Sequence, residues 1–216
     1  MKKVILSFVM VFCATVFALA QKAPTAAEVI NKGMDALGGK AKLEAVKTIS
    51  MDNVISFMGM EITGKTKKEG NKFSSTQSVM GQEMKQVFDG EKGYNLQGGQ
   101  KIDFTPEMLA EFKSKQIFDI LTLDPKTITT VETKNVDGAD FYVLNDGKTQ
   151  SFFDVKSGLL TKQVSDKGEV TYKEYTTIDG VKFPVSMTAV ANGQEISITN
   201  SNIVLNKGVT ADDFKL

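Results

Sequence analysis

Acid–base chemistry in this chain rests on carboxylates and lysines. The 216 residues include no His, no Arg and no Trp, and the one Cys is Cys13 near the N-terminus. Ser-His-Asp and Cys-His sites need an imidazole base, and zinc sites draw on His or Cys, so both classes are excluded. Haem and iron–sulfur centres lose their usual ligands for the same reason. Four carboxylate pairs lie close in sequence: Asp89/Glu91, Glu107/Glu111, Asp137/Asp140 and Asp212/Asp213. A glycosidase-type pair must flank one scissile bond, but each of these has a structural role. Asp89 and Asp137 each precede a Gly, where the side chain supports a turn. Glu107 opens a helical segment, where the helix dipole favours an anion, and Asp212 and Asp213 belong to a polar tail. No phosphate-cradling Gly-rich loop or EF-hand calcium loop is present. The expectation is a non-enzymatic protein with no cofactor and no metal.

Lysine and methionine carry the remaining signals. Basic and acidic residues balance at 26 each, and without a basic excess or arginine no nucleic-acid partner is expected. Lys65, Lys67 and Lys68 crowd one strand beside Glu61 and Glu69. They fit a solvated outer face or charged edge that resists aggregation, or an anion or lipid-headgroup site. Met51, Met58, Met60, Met80 and Met84 cluster within one stretch. Methionine fills irregular space and suits surfaces that accept varied apolar ligands. They fit ordinary core and hairpin tips, or an accommodating apolar cleft.

Residues 1–20 read as an export signal: Lys2 and Lys3, an apolar run from Val4 to Phe17, then Ala18-Leu19-Ala20. The run falls short of the roughly 20 residues that span a bilayer, so cleavage and a chain with no transmembrane segment are expected. Phe12 before Cys13 does not suit a lipidated cysteine. Residues 21–216 then read as one domain, a length at which folding buries about 70% of the chain's surface. Thr25-Ala26-Ala27-Glu28 fits a capping box, and Val29, Ile30, Met34 and Leu37 follow at helical spacing up to Gly38-Gly39. A short helical stretch covers Lys40 to Val46.

From Thr48 the period becomes two, with turn dipeptides such as Asp89-Gly90, Asp137-Gly138, Asp179-Gly180 and Asn192-Gly193. This spacing predicts two antiparallel meanders of about eleven strands. Thr105-Pro106 starts a helical insert between them, with Met108, Leu109 and Phe112 as its apolar stripe, running to about Leu121. In the second meander the bulky inward candidates are Phe141, Val143, Phe153, Leu160, Val164, Val170, Phe183, Val185, Ile196 and Ile198.

The order of these features resembles a known family. It runs Ala27-Glu28-Val29-Ile30, Ala36-Leu37-Gly38-Gly39 and Val46-Lys47-Thr48-Ile49, then Phe88-Asp89-Gly90-Glu91-Lys92-Gly93-Tyr94. Phe152-Phe153-Asp154, Gly158-Leu159-Leu160 and Asp179-Gly180-Val181-Lys182-Phe183-Pro184 follow. Together they resemble outer-membrane lipoprotein-sorting proteins of the LolA/LolB-like carrier superfamily, in the form common in Bacteroidota. They are also similar to an accessory domain that follows insulinase-type peptidase domains. The resemblance implies a mainly β fold with some α: a half-open, curved antiparallel barrel with N-terminal helices and the helical insert as a lid. It implies a periplasmic binding protein for an acyl chain or other apolar ligand, lipoprotein carriage included. The arginine latch of such carriers is missing from this chain, and so are the histidines of the peptidases.

The expected groove lining is Ile49, Met51, Ile55, Phe57, Met60, Ile62, Met84 and Phe88 from the sheet with Met108, Leu109 and Phe112 from the insert. The alternative is an envelope protein-interaction module with a barrel filled by its own side chains.

Overall fold

The computed structural model describes residues 23–79 and 81–216, so the export-signal reading, Cys13 and Met80 lie outside the described residues. Helix α1 spans Ala26–Ala36 and begins with the expected capping box. The Thr25 amide donates to Glu28 Oε2 at 2.7 Å, and the Glu28 amide donates to Thr25 Oγ1 at 3.3 Å. These bonds satisfy donors that a helix start otherwise leaves open. The apolar stripe buries Val29, Ile30 and Met34, and α2, Lys40–Ala45, adds Leu43.

Six strands follow: β1 (Thr48–Phe57), β2 (Met60–Glu69), β3 (Lys72–Val79), β4 (Gln82–Phe88), β5 (Gly93–Gln97) and β6 (Gln100–Asp103). After α3 (Pro106–Ser114) come β7 (Thr130–Val136), β8 (Ala139–Asn145), β9 (Thr149–Asp154), β10 (Leu160–Ser165), β11 (Gly168–Ile178), β12 (Val181–Ala191) and β13 (Gln194–Leu205). All join one sheet of 13 strands in the order β6-β5-β4-β3-β2-β1-β13-β12-β11-β10-β9-β8-β7. Turn spacing predicts about eleven. The shortest strand is β6, whose four residues are all exposed.

Every neighbouring pair is antiparallel, and β1 meets β13 at the centre of the sheet. The two edge strands, β6 and β7, are therefore consecutive in sequence, and residues 104–129 connect them. The edges do not pair, so the curved sheet stays open, and this connection supplies the lid.

The lid is less helical than expected. Helix α3 stops at Ser114, Lys115 is extended, and a 3-10 turn covers Asp119–Thr122. The next positions in register with the Met108/Leu109/Phe112 stripe are Lys115 and Gln116, so a longer helix would bury no apolar face. The extended stretch instead drives Phe118 into the core, where its ring meets Phe183 edge-on at 5.7 Å.

That core joins α1, α2 and Phe118 to the inner face of the sheet through Ile49, Met51, Leu144, Phe153, Val181 and Leu205. Register corrects part of the inward set in the second meander. Tyr142 lies opposite Phe153, whereas Val143 lies opposite Phe152. Tyr142 and Leu144 therefore face the core, and Phe141 and Val143 share the outer face with Phe152. Val164, two residues from Lys162 and hence on the face of Phe152, is outer as well. The outer face has a small core of its own. A C-terminal turn, Ala211–Phe214, buries Phe214, while Asp213 accepts from Lys67 Nζ at 2.6 Å. Lys72 Nζ lies 5.9 Å from the Phe214 ring centroid.

Candidate ligand-binding site

The expected lining residues occupy three separate settings. Under α3 the inner face is filled: the Phe112 ring lies 4.9 Å from Phe73, 5.1 Å from Phe104 and 5.7 Å from Phe88. Phe88 is fully buried in this cluster, and Met108 and Leu109 are half-buried on the same helix. Ile49 and Met51 belong to the closed core. Ile55, Phe57 and Ile62 share the inner face near the β1–β2 hairpin and are half-buried, while Met60 is 44% exposed. Met84 lines a different cavity with Leu96 and Ile102 near the β6 edge.

A polar belt separates the closed core from the half-buried apolar end. Thr66 Oγ1 lies 2.6 Å from Asn53 Oδ1 and 3.3 Å from Ser75 Oγ. Asn53 Nδ2 donates to Asn200 Oδ1 at 2.7 Å, and Asn200 Nδ2 donates to the Pro184 carbonyl at 3.0 Å. Five strands, β3, β2, β1, β13 and β12, are thereby tied together on the inner face. Partnered polar groups of this kind avoid the penalty of unpaired burial.

The apolar chamber lies between α1, the lid and strands β9 to β12. It is a half-open pocket of about 140 Å³, walled by Gly33, Phe118, Ile120, Phe153, Leu160 and Phe183. Gly33 opens it, because the absence of a side chain lets α1 approach the lid and Phe153. Tyr172 and Tyr175 also line it, with ring centroids 6.5 Å apart. Residues three apart on a regular strand face opposite ways. Register shifts between Tyr172, Glu174 and Tyr175 turn both rings to the same side. Sequence alternation concealed this pair; the one hint was the Tyr-x-x-Tyr spacing itself.

The chamber's uncharged polar side chains are hydrogen-bonded to one another or to the backbone. Tyr172 Oη donates to Gln163 Oε1 at 2.7 Å, Gln163 Nε2 donates to Ser151 Oγ at 3.2 Å, and Tyr175 Oη donates to the Leu160 carbonyl at 2.8 Å. Burial, with the Asp119 charge adding, pushes the Tyr172 phenol up to about 12. Burial raises Tyr175 as well, and the Tyr172 charge adds. Both remain hydrogen-bond donors at neutral pH. Asp119 and Lys182 stand among the lining residues. Among the described residues no group of three or more Asp, Glu, His or Cys could hold a metal ion. The arrangement suits apolar binding with a few neutral hydrogen-bonding groups, rather than proton transfer or nucleophilic attack.

No known family profile matches the sequence, and no curated protein matches it. Solved structures do. A DUF1329 family protein from Desulfovibrio piger superposes with a TM-score of 0.57 at 14% identity, covering 88% of this chain and 97% of that one. A LolA superfamily protein from Nitrosomonas europaea superposes with a TM-score of 0.52 at 12% identity, covering 90% of this chain and 99% of that one. At such identities the likeness is one of architecture. An unclosed antiparallel sheet, N-terminal helices and a lid spanning its two edges give this chain the LolA-like fold.

Proposed function

We propose that the protein is a non-enzymatic binding protein of the cell envelope that shelters an acyl chain or similar apolar ligand. Its place is the periplasm, reached by the Lys-rich, apolar N-terminal segment, and lipoprotein carriage is the specific role the fold suggests. The observation that carries this reading is the apolar chamber of about 140 Å³ held between α1, the lid and the sheet. An engineered apolar cavity of about 150 Å³ stays dry and takes up benzene, so this one suits a segment of about six carbons.

Size also sets a limit. Six methylenes removed from water contribute about 5 kcal/mol at roughly 0.8 kcal/mol each. Association costs about 4–15 kcal/mol before any surplus appears. The chamber alone would therefore hold a chain weakly. A longer chain must displace the lid, or extend past the polar belt onto Ile55, Phe57 and Ile62. Both routes fit a carrier, which has to release its cargo.

One observation favours a second reading, an envelope protein-interaction module. The Phe73, Phe88, Phe104 and Phe112 cluster fills the inner face beneath α3 with the chain's own side chains. Purification of residues 21–216 from an envelope extract without detergent, then organic extraction and mass spectrometry, separates the two. Near-stoichiometric acyl lipid or lipopeptide supports the binding role. An empty protein that also takes up no fluorescent fatty acid leaves the interaction module, and copurified protein would then name its partner.

A further inference from the structure

The three crowded lysines part company in the fold. Lys65 and Lys67 point outward and pair with Asp52 at 3.2 Å and Asp213 at 2.6 Å. Lys68 lies opposite Ile49 and Phe73, both on the inner face. Its ammonium makes no hydrogen bond or ion pair among the described residues. It lines a cavity of about 300 Å³ between the lid and strands β2 to β4, together with Lys115, Asn71, Gln86, Phe73 and Phe112.

A half-buried ammonium without a partner is unfavourable. Burial lowers the Lys68 pKa, opposed by the Asp119 charge and reinforced by Lys115. Asp119 reaches Lys115 at 3.8 Å, and both are largely exposed. Asp119 is thus shared between two lysines, and Lys68, Lys115 and Asp119 together carry a net positive charge. Gln86 lines the same cavity with a side-chain amide, and the Asn71 amide, also in the lining, donates to the Gly90 carbonyl at 3.5 Å. Asp119 also lines the apolar chamber, so the two cavities adjoin at one lid residue.

We propose that Lys68 is the anion-binding group of the site, receiving the carboxylate or phosphate head of an anionic amphiphile whose chain enters the adjoining chamber. This rests on the apolar-ligand reading and specifies its ligand class. An anion at Lys68 would accept a charge-assisted hydrogen bond, among the stronger kinds. Phe73 and Phe112 flank the head, so the charge is held partly out of water.

Residues 21–216 would be titrated with three fluorescent probes sharing one C18 chain: the fatty acid, the monoacyl phosphate and the methyl ester. The expected result is at least a roughly tenfold preference for one or both anions over the ester, of the size a charge-assisted bond confers. Lys68→Gln and Lys68→Met, checked for folding by thermal denaturation, abolish that preference and leave ester binding unchanged. The preferred anion identifies carboxylate or phosphate as the head. Equal binding of acid, phosphate and ester by the unaltered chain overturns the proposal, as does a variant that weakens all three alike. If no probe binds, the apolar-ligand reading fails separately, and inorganic phosphate and acetate then decide the lysine. A saturable shift of the Lys68 Nζ resonance supports the anion site by itself, and no shift overturns it.

Discussion

A Cβ placed on Gly33 of α1 would lie 2.7 Å from Ile120 Cδ1 in the lid and 3.0 Å from Phe153 Cε1. The missing side chain therefore sets how closely helix and lid approach across the chamber. Glycine inside a helix ordinarily costs about 0.5–1 kcal/mol relative to alanine. Gly33→Ala should forfeit that gain and leave the melting temperature unchanged or lower, because Phe153 is buried and has no room to retreat. Combined with Ile120→Ala, which removes the closer of the two contacts, the same substitution should cost less, with a coupling of about 1 kcal/mol in a double-mutant cycle. Strictly additive effects in thermal denaturation would show that the lid is not held against α1.

Where local chemistry decides, the sequence is readable. Thr25 and Glu28 cap α1 as their spacing predicts, and Asp137, Asp179 and Asn192 take positive φ in their turns. Thr105 and Pro106 start α3 for the same reason. The chamber depends on meetings between residues distant in sequence, such as Gly33 with Ile120 and Phe153, and periodicity is silent about those. Alternation also assigns two faces without saying which is inner, so Phe141 and Val143 were exchanged with Tyr142 and Leu144. Bulges break it outright at Tyr172 and Tyr175. Lys67 and Lys68 end on opposite faces as alternation requires, but only the register with Ile49 and Phe73 shows that Lys68 is the inner one.

Met51 and Phe57 share the inner face of β1 but occupy opposite sides of the Asn53 belt. Met51 is 7% exposed within the core, so Met51→Asp should destabilise by about 3–5 kcal/mol, the range for an uncompensated buried charge. Phe57 is half-buried beside the exposed Met58 hairpin tip. Phe57→Asp should cost about 1–2 kcal/mol and reduce uptake of a long acyl probe more than of a short one. Urea denaturation together with probe titration checks both. Equal loss of folding in the two variants would mean that the end beyond the belt is closed core.

At the C-terminus, Asp213 joins the last turn to the sheet. Burial alone would raise its pKa, but hydrogen bonds from Lys67 and the Thr210 amide, with the Lys67 charge, lower it on balance. A carboxylate held below its unfolded pKa of about 4 stabilises the fold above that pH and ceases to do so as pH falls through the native value. The melting temperature should therefore fall on acidification below about pH 4, and less steeply in Asp213→Asn. Parallel declines in the two proteins would remove Asp213 from the acid response.

Tyr172 works in the opposite direction. Its phenol is held up to about 12 in the fold, against about 10 in an unfolded chain. The folded state therefore keeps a proton that the unfolded state loses. Stability from this group is complete below about pH 10 and declines as pH rises toward the native value. Tyr172→Phe should lower stability at pH 7 by about 1–2 kcal/mol, because Gln163 loses its donor in a largely apolar chamber. The variant should then lose less on going from pH 9 to pH 11 than the unaltered protein does. Denaturant titrations at pH 7, 9 and 11 measure both effects. Phenolate absorbance from Tyr172 that develops at pH 10 while the protein is still folded would instead place this ring in contact with water, and this wall of the chamber would then be wet.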